Sequence, residues 1–140
     1  MRRVVVTGMG IVSSIGSNMR EVAASLHAGR SGITRAEKFV ELGFRSQVQG
    51  APTLVAEEVV DRRAMRFHGG GTAWNHVAMD QAIADSGLAP DEVSNERTGI
   101  IMGSGGPSTR TIVEAADVTR AKGPKRVGPF AVPKSIPISN

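Results

Sequence analysis

The chain has no cysteine among its 140 residues, which excludes disulfide bonds and thiol catalysis by its own side chains. Tyrosine is absent as well, and aromatic residues make up only 4%, which disfavours a stacking platform for single-stranded nucleic acid. No apolar run approaches the roughly 18 residues that a membrane-spanning helix needs. The apolar stretch before Thr7 is too short for a signal peptide, so we expect a cytoplasmic location.

Acidic residues are missing from the last part of the chain. None follows Asp117, and the basic residues of that part are Arg120, Lys122, Lys125, Arg126 and Lys134. Earlier in the sequence, Arg62, Arg63 and Arg66 form a second basic cluster, and the formal net charge is +4. Such clusters suit an anionic partner, but they are also compatible with an ordinary solvated surface. Charge alone leaves both interpretations open.

The remaining composition is that of a soluble globular protein, with 40% hydrophobic and 21% charged residues. A chain of this length can form one domain with its own core. Val4–Val6 predicts a buried strand that runs into a turn at Gly8 and Gly10, and Thr98–Met102 predicts a second buried strand. We also expect a short strand within Phe44–Val48.

Helical signals lie between and after these strands. Asn18 and Glu21 form a capping-box pattern before a short helix that should end at Gly29. The clearest helix spans about 72–86 and should stop at the left-handed position of Gly87. Ser108 should cap a further helix to about Ala121, with inward-facing positions at Ile112, Val113 and Ala116. Strands alternating with helices predict an α/β layered architecture.

The first glycine turn resembles a dinucleotide-binding site, but it departs from the pattern. Gly8 and Gly10 supply the first two glycines, whereas the third position is Ser13. The dehydrogenase variant T-G-x-x-x-G also fails, because Val12 stands where the last glycine should be. A ribose-binding acidic residue is missing about 20 residues further on. Nucleotide binding is therefore the weaker interpretation of this turn.

A hydrolase is disfavoured by the order of its residues. Gly103-Ser104-Gly105 matches half of a nucleophile elbow, but Met102 occupies the position of its first glycine. The triad histidine should follow the serine, whereas every histidine of this chain precedes Ser104. We expect His68 and His76 to be surface or helix-start residues, and their spacing makes no metal site without a third ligand. The glycine run 103–106 is most simply a tight turn.

Several separated motifs occur in one order along the chain. They are RVVVTGMGIVSSIG at 3–16, GRSGIT at 29–34, DRRAMRF at 61–67, QAIADSGL at 81–88, GIIMGSGG at 99–106 and VGP at 127–129. Together they resemble the N-terminal part of a β-ketoacyl-acyl carrier protein synthase, most closely type I. The resemblance covers residues 2 to about 134.

The resemblance implies an α/β, thiolase-like fold with αβαβα layering, of which residues 1–140 form a partial N-terminal domain. It implies decarboxylative Claisen condensation of an acyl group with malonyl-acyl carrier protein in fatty acid biosynthesis, without a cofactor. The implied partners are acyl carrier protein, fatty acyl and malonyl thioesters, and a second copy of the chain in a homodimer. The family's mechanism uses a cysteine nucleophile at a helix N-terminus, two histidines and a backbone oxyanion hole.

The chain departs from the family in its length. The catalytic cysteine, both histidines and a supporting lysine belong to positions beyond residue 140, so we expect no catalytic residue in this chain. His27, His68 and His76 do not match the catalytic positions. After Lys134 the sequence leaves the family pattern, and Pro137 would interrupt a helix there.

Binding residues can be carried over by motif. The resemblance implies a basic patch that receives the acidic carrier protein and that comprises Arg62, Arg63, Arg66, Lys122, Lys125 and Arg126. It also implies that Gly106 leaves room for the acyl tail at the dimer interface, although Pro107 stands where the family often has another glycine. The alternatives are a non-catalytic fragment that binds carrier protein or dimerises, and an NAD(P)-dependent oxidoreductase.

Overall fold

The computed structural model describes residues 3–136, in which helices dominate and strands are short. In chain order the elements are α1 (Met19–His27), β1 (Ile33–Arg35), α2 (Glu37–Glu41), β2 (Val48–Gly50), α3 (Ala56–Val59), a 3-10 turn (Ala64–Arg66), α4 (Gly70–Ser86), α5 (Pro90–Val93), α6 (Thr109–Lys122), a second 3-10 turn (Pro124–Arg126) and α7 (Ala131–Ser135). In residues 3–136 no helix combines the length and the apolar character needed to cross a bilayer.

The chain divides into two compact units that share helix α4. The first unit runs to Val55 and includes Ala78–Gly87, whereas the second comprises Ala56–Val77 and the chain from Leu88 onward. The first part of α4 therefore belongs to the second unit, and its last part belongs to the first unit. Each unit has its own internal packing.

The first unit is built from capped helix α1 and a small hairpin. The Asn18 side chain accepts a hydrogen bond from the Glu21 N–H (3.0 Å), so the predicted helix start is confirmed. The Glu21 carboxylate accepts from the Ser17 N–H (2.8 Å), one residue before the N-cap N–H that a capping box uses. The hydrogen bond from the Ser17 N–H, together with one from the Asn18 side-chain amide (2.8 Å), lowers the pKa of the Glu21 carboxyl. Strands β1 and β2 pair antiparallel, with Ile33 opposite Gly50.

The second unit has a small apolar core. Ala56, Val60 and Ala73 are buried there, and Met65 and Trp74 pack against them. Helix α6 begins at the predicted Ser108 cap, whose hydroxyl accepts a hydrogen bond from the Thr111 N–H (3.4 Å). The Ser108 N–H donates to the Ser135 carbonyl (3.2 Å), which ties the start of α6 to the end of α7.

The two buried strands predicted from sequence are wrong for this chain. Neither Val4–Val6 nor 98–102 forms a ladder, and the three valines are 95%, 74% and 81% exposed. Ile100 and Ile101 are likewise exposed. A β-branched run becomes a buried strand only when a neighbouring strand satisfies its backbone and a layer covers its side chains. Residues 3–136 supply neither to these two segments.

Three smaller expectations need correction or comment. The strand expected within Phe44–Val48 begins only at Val48, because residues 48–50 are those that pair with β1. Ile112 and Val113 of α6 are exposed rather than inward-facing, since nothing in the described chain covers that face. The predicted interruption at Pro137 lies outside the described residues.

Candidate functional site

The first basic segment, residues 61–67, is a turn that exposes its arginines. The Asp61 carboxylate accepts hydrogen bonds from the backbone N–H groups of Arg63 (2.8 Å) and Ala64 (3.3 Å), so it closes the turn from inside. Met65 anchors the turn on the apolar core of the second unit. The side chains of Arg62, Arg63 and Arg66 are consequently left at the surface.

The second basic segment, residues 122–130, begins at the last residue of helix α6 and continues beyond the helix. Lys122 lies in the last turn of α6, where its positive charge interacts favourably with the negative end of the helix dipole. Gly123 then adopts a left-handed φ of +83°, which lets the chain reverse into the 3-10 turn that carries Lys125 and Arg126. All three basic residues of this segment are exposed.

The two basic segments belong to the same compact unit, and an aromatic contact joins them. The rings of Phe67 and Phe130 meet edge to face, with centroids 5.2 Å apart and planes at 90°. Phe67 directly follows Arg66, and Phe130 closes the second segment. The predicted patch is therefore brought together in part, because its two halves are attached to one ring pair.

The six predicted docking residues keep their charge available. Within the described part of the chain none of them forms an ion pair, whereas Arg120 is paired with Asp117 at 2.9 Å. Asp117 thereby neutralises Arg120, which is not one of the predicted docking residues. Unpaired surface cations act over roughly a Debye length, about 8–10 Å in moderate salt, and can steer an acidic partner.

Gly106 lies beside a small open hollow in the second unit. The hollow has a volume of about 150 Å³ and is lined by Gly69, Gly71, Thr72, Ser104, Gly106, Pro107, Ser108 and Ile136. The Ser104 hydroxyl donates to the Gly106 carbonyl (2.8 Å), which holds the loop locally. A β-carbon added to Gly106 would meet no described atom within 4 Å. The role of Gly106 beside an acyl tail stays a prediction.

His68 differs from its expected surface position. Its side chain is buried (8% exposed), and its ring lies 5.1 Å from the ring of His76 on α4. Burial, with a smaller contribution from His76, lowers the pKa of the His68 imidazole. Among the residues described, no group of three or more His, Asp or Glu is arranged so that it could hold a metal ion.

The first glycine turn is committed to packing within the first unit. A β-carbon on Gly8 or Gly10 would collide with the carbonyl groups of Ala82 and Ala78 on helix α4. The intervening Met9 N–H donates to the Asp85 carboxylate (2.9 Å). A pyrophosphate would have to displace this carboxylate from the N–H and would be repelled by its charge. The geometry therefore argues against the dinucleotide interpretation.

Comparison with known proteins decides the family. The model of the family described as "Beta-ketoacyl synthase, N-terminal domain" matches residues 1–139. The chain belongs to the β-ketoacyl synthase family. It is 47% identical over 137 residues to 3-oxoacyl-[acyl-carrier-protein] synthase 1 of Haemophilus influenzae, and 46% identical over 138 residues to that of Escherichia coli K12. Each alignment covers 97% of this chain and 34% of the relative.

Solved structures agree with this family. A β-ketoacyl synthase from Burkholderia phymatum matches with a TM-score of 0.79 and 29% identity, covering 98% of this chain and 34% of that one. The ishigamide ketosynthase/chain length factor matches with a TM-score of 0.81 and 27% identity, covering 96% and 34%. The expected α/β, thiolase-like fold class is confirmed by these ketosynthase neighbours. The chain spans about a third of the length of the relatives it matches.

Two features of the site were missed from the sequence. The sequence prediction includes Asp61 only within the DRRAMRF motif, although an aspartate two and three residues before a turn's N–H groups is a recognised capping signal. The ring contact between Phe67 and Phe130 joins residues 63 positions apart in sequence. No local pattern reports a contact of that range.

Proposed function

We propose that this chain is the N-terminal part of a β-ketoacyl-acyl carrier protein synthase. The reaction joins an acyl group to malonyl-acyl carrier protein with loss of carbon dioxide. The observation that carries the proposal is the 46–47% identity to type 1 synthases across nearly the whole chain. The sequence contains no cysteine, so these 140 residues cannot supply the thiolate nucleophile of the proposed mechanism. We expect the isolated chain to show no condensing activity.

Within that enzyme, the contribution of this chain is docking. Arg62, Arg63 and Arg66 on one segment, and Lys122, Lys125 and Arg126 on the other, present exposed cations without ion pairs among the described residues. Strongly acidic carrier protein would be steered and held by such a surface. A type II polyketide ketosynthase of similar fold (TM-score 0.73, 19% identity, covering 98% of this chain and 36% of that one) was solved with its acyl-carrier protein.

The remaining elements of the proposal come from the family resemblance. The complete enzyme is proposed to be a cytoplasmic homodimer that acts on fatty acyl and malonyl thioesters. Its acyl pocket is proposed to lie beside Gly106. The hollow beside Gly106 supports the pocket, because its backbone has open space on one side. The second candidate is a chain that binds carrier protein without condensing, and the exposed cations together with the lack of cysteine favour it for these residues alone.

The test is a titration of labelled acyl carrier protein into this chain. We expect replacing Arg62, Arg63 and Arg66 by Glu to weaken binding at least about tenfold, equivalent to about 1.4 kcal/mol. The matched control replaces Arg20, Arg30 and Arg45 by Glu, because these exposed arginines of the first unit change the net charge equally. Equal binding by the wild type and the first variant would remove the docking role. Equal losses in both variants would reduce it to an effect of overall charge.

A further inference from the structure

Local hydrogen bonds hold the backbone of each basic segment. In the first, the Asp61 carboxylate fixes the turn through the Arg63 and Ala64 N–H groups. In the second, the Arg126 N–H donates to the Gly123 carbonyl (3.1 Å) and the Ala131 N–H donates to the Gly128 carbonyl (3.1 Å). Each segment therefore holds the backbone that carries its cations in one local geometry. What remains to be set is the spacing between the two sets of cations.

The spacing depends on contacts between the two segments. The edge-to-face contact of Phe67 and Phe130 is one of them. Just beyond the two segments, a β-carbon on Gly69 would lie only 2.7 Å from the Lys134 carbonyl and 3.1 Å from the Ser108 β-carbon, so the chain that follows the first segment approaches the chain that follows the second. Phe67 is 43% exposed, although aromatic side chains gain most from burial. Its partial exposure places the ring contact at the surface that carries the arginines.

We propose that the contact between Phe67 and Phe130 is a positioning device that sets the distance between the two basic segments, so that both engage one acidic partner together. This inference rests on the proposed docking function. Long-range steering depends on the total charge of the surface, which the two rings do not alter. The lifetime of the docked complex depends on short-range complementarity, which they do alter. The ring pair should therefore control dissociation and leave steering unchanged.

The first experiment measures carrier-protein kinetics with charge held constant. We expect Phe67→Leu to raise the dissociation rate about two- to tenfold, the range that an aromatic pair contact is worth. The association rate should keep its wild-type dependence on salt between about 0.1 M and about 1 M, where the Debye length falls from about 10 to about 3 Å. Phe67→Tyr keeps the ring and should keep the wild-type dissociation rate. An unchanged dissociation rate in Phe67→Leu would overturn the proposal.

The chain offers a matched control for loss of a ring. Its four phenylalanines form two ring pairs, and the other pair, Phe39 with Phe44 (5.3 Å), lies in the first unit. Phe44→Leu should leave carrier-protein dissociation at the wild-type rate. Trp74 is the single tryptophan and packs on the core of the second unit, so its fluorescence reports whether Phe67→Leu is folded. Gly69→Ala is a second variant, which should raise the dissociation rate without changing charge, because its β-carbon would separate the backbone two residues after Phe67 from the Lys134 carbonyl.

A second measurement does not need the partner. Because the chain has no cysteine, Arg63→Cys and Lys125→Cys allow spin labels to be attached to the two segments. The distance distribution should be narrow in the parent chain and broader after Phe67→Leu. Equal distributions would overturn the positioning role even if docking is real. Failure of the wild type to bind carrier protein, with a narrow distribution retained, would instead overturn the proposed function and leave the spacing role of the rings standing.

Discussion

Two segments of this chain have a similar residue pattern, but their glycines differ in packing. Val4–Gly10 and Ile100–Gly106 each run from exposed apolar residues into a glycine-rich turn. In the first segment, the glycines touch the backbone of helix α4. In the second, β-carbons added to Gly103, Gly105 or Gly106 would meet no described atom within 4 Å. The same residue type thus serves close packing in one turn and leaves open backbone in the other.

Hydrogen bonds reinforce this difference. The N–H groups of Met9 and Ile11 donate to the side chains of Asp85 (2.9 Å) and Gln81 (3.1 Å), which are far away in sequence. In the second turn, the Ser104 hydroxyl donates to the Gly106 carbonyl (2.8 Å) and accepts from the Gly106 N–H (3.4 Å), and both hydrogen bonds are local. A turn held from outside is part of the scaffold. A turn held only by itself is free to take part in a binding surface, which agrees with the acyl pocket proposed beside Gly106.

The largest expected effect comes from adding one carbon to each turn. Gly10→Ala should lower the free energy of unfolding by about 3 kcal/mol, because the new β-carbon collides with the Ala78 carbonyl and the backbones must separate. Gly105→Ala should change it by no more than about 0.5 kcal/mol. Urea unfolding followed by circular dichroism measures both. Similar losses in the two variants would show that the turns do not differ in packing.

A smaller effect should follow from removing the hydrogen bonds. Gln81 accepts from the Ile11 N–H and donates to the Ser17 carbonyl (2.7 Å), so Gln81→Leu leaves two partly buried backbone groups unsatisfied. The expected loss is about 1–3 kcal/mol. Ser104→Ala removes an exposed local contact and should cost no more than about 0.5 kcal/mol. The same unfolding measurement applies, and a larger loss for Ser104→Ala would reverse the comparison.

The parts of the fold that could be predicted from sequence are those that short-range interactions complete. The Asn18 cap of α1, the Ser108 cap of α6 and the left-handed Gly87 after α4 all involve partners within a few residues. Their free energy does not depend on the rest of the molecule. The sequence therefore predicts these helices and places their ends within a few residues of those in the structure.

The strands and the packing of single side chains could not be predicted in this way. Val4–Val6 needs a neighbouring strand, and the described residues place none beside it. His68 is predicted to be a surface or helix-start residue, but its side chain is buried and its ring lies 5.1 Å from that of His76. Charge clustering shows the basic residues but leaves their role open, and only the family motifs assign them to a carrier-protein surface. The ring pair that joins them is a contact between distant positions.

The smallest expected effect is a dependence of stability on pH that comes from His68, next to the hollow beside the second turn. His68 precedes Gly69, which lines the hollow beside Ser104 and Gly106. Because burial lowers the pKa of His68, the unfolded chain binds a proton more readily than the folded chain. The contribution of the neutral His68 to the free energy of unfolding is therefore fully present above the pKa of an unfolded histidine, about 6.5. This contribution decreases as the pH falls from there towards the lower pKa of the folded state.

The pH effect can be isolated by comparing unfolding at about pH 7.5 and about pH 5.5, on either side of the ordinary histidine pKa. The wild type should be less stable at the lower pH, and His68→Gln should lose part of this dependence, because it removes the buried titrating group. His27→Gln is the matched control, since His27 is exposed on α1 in the first unit. If His68→Gln keeps the full pH dependence, protonation of His68 does not destabilise the second unit.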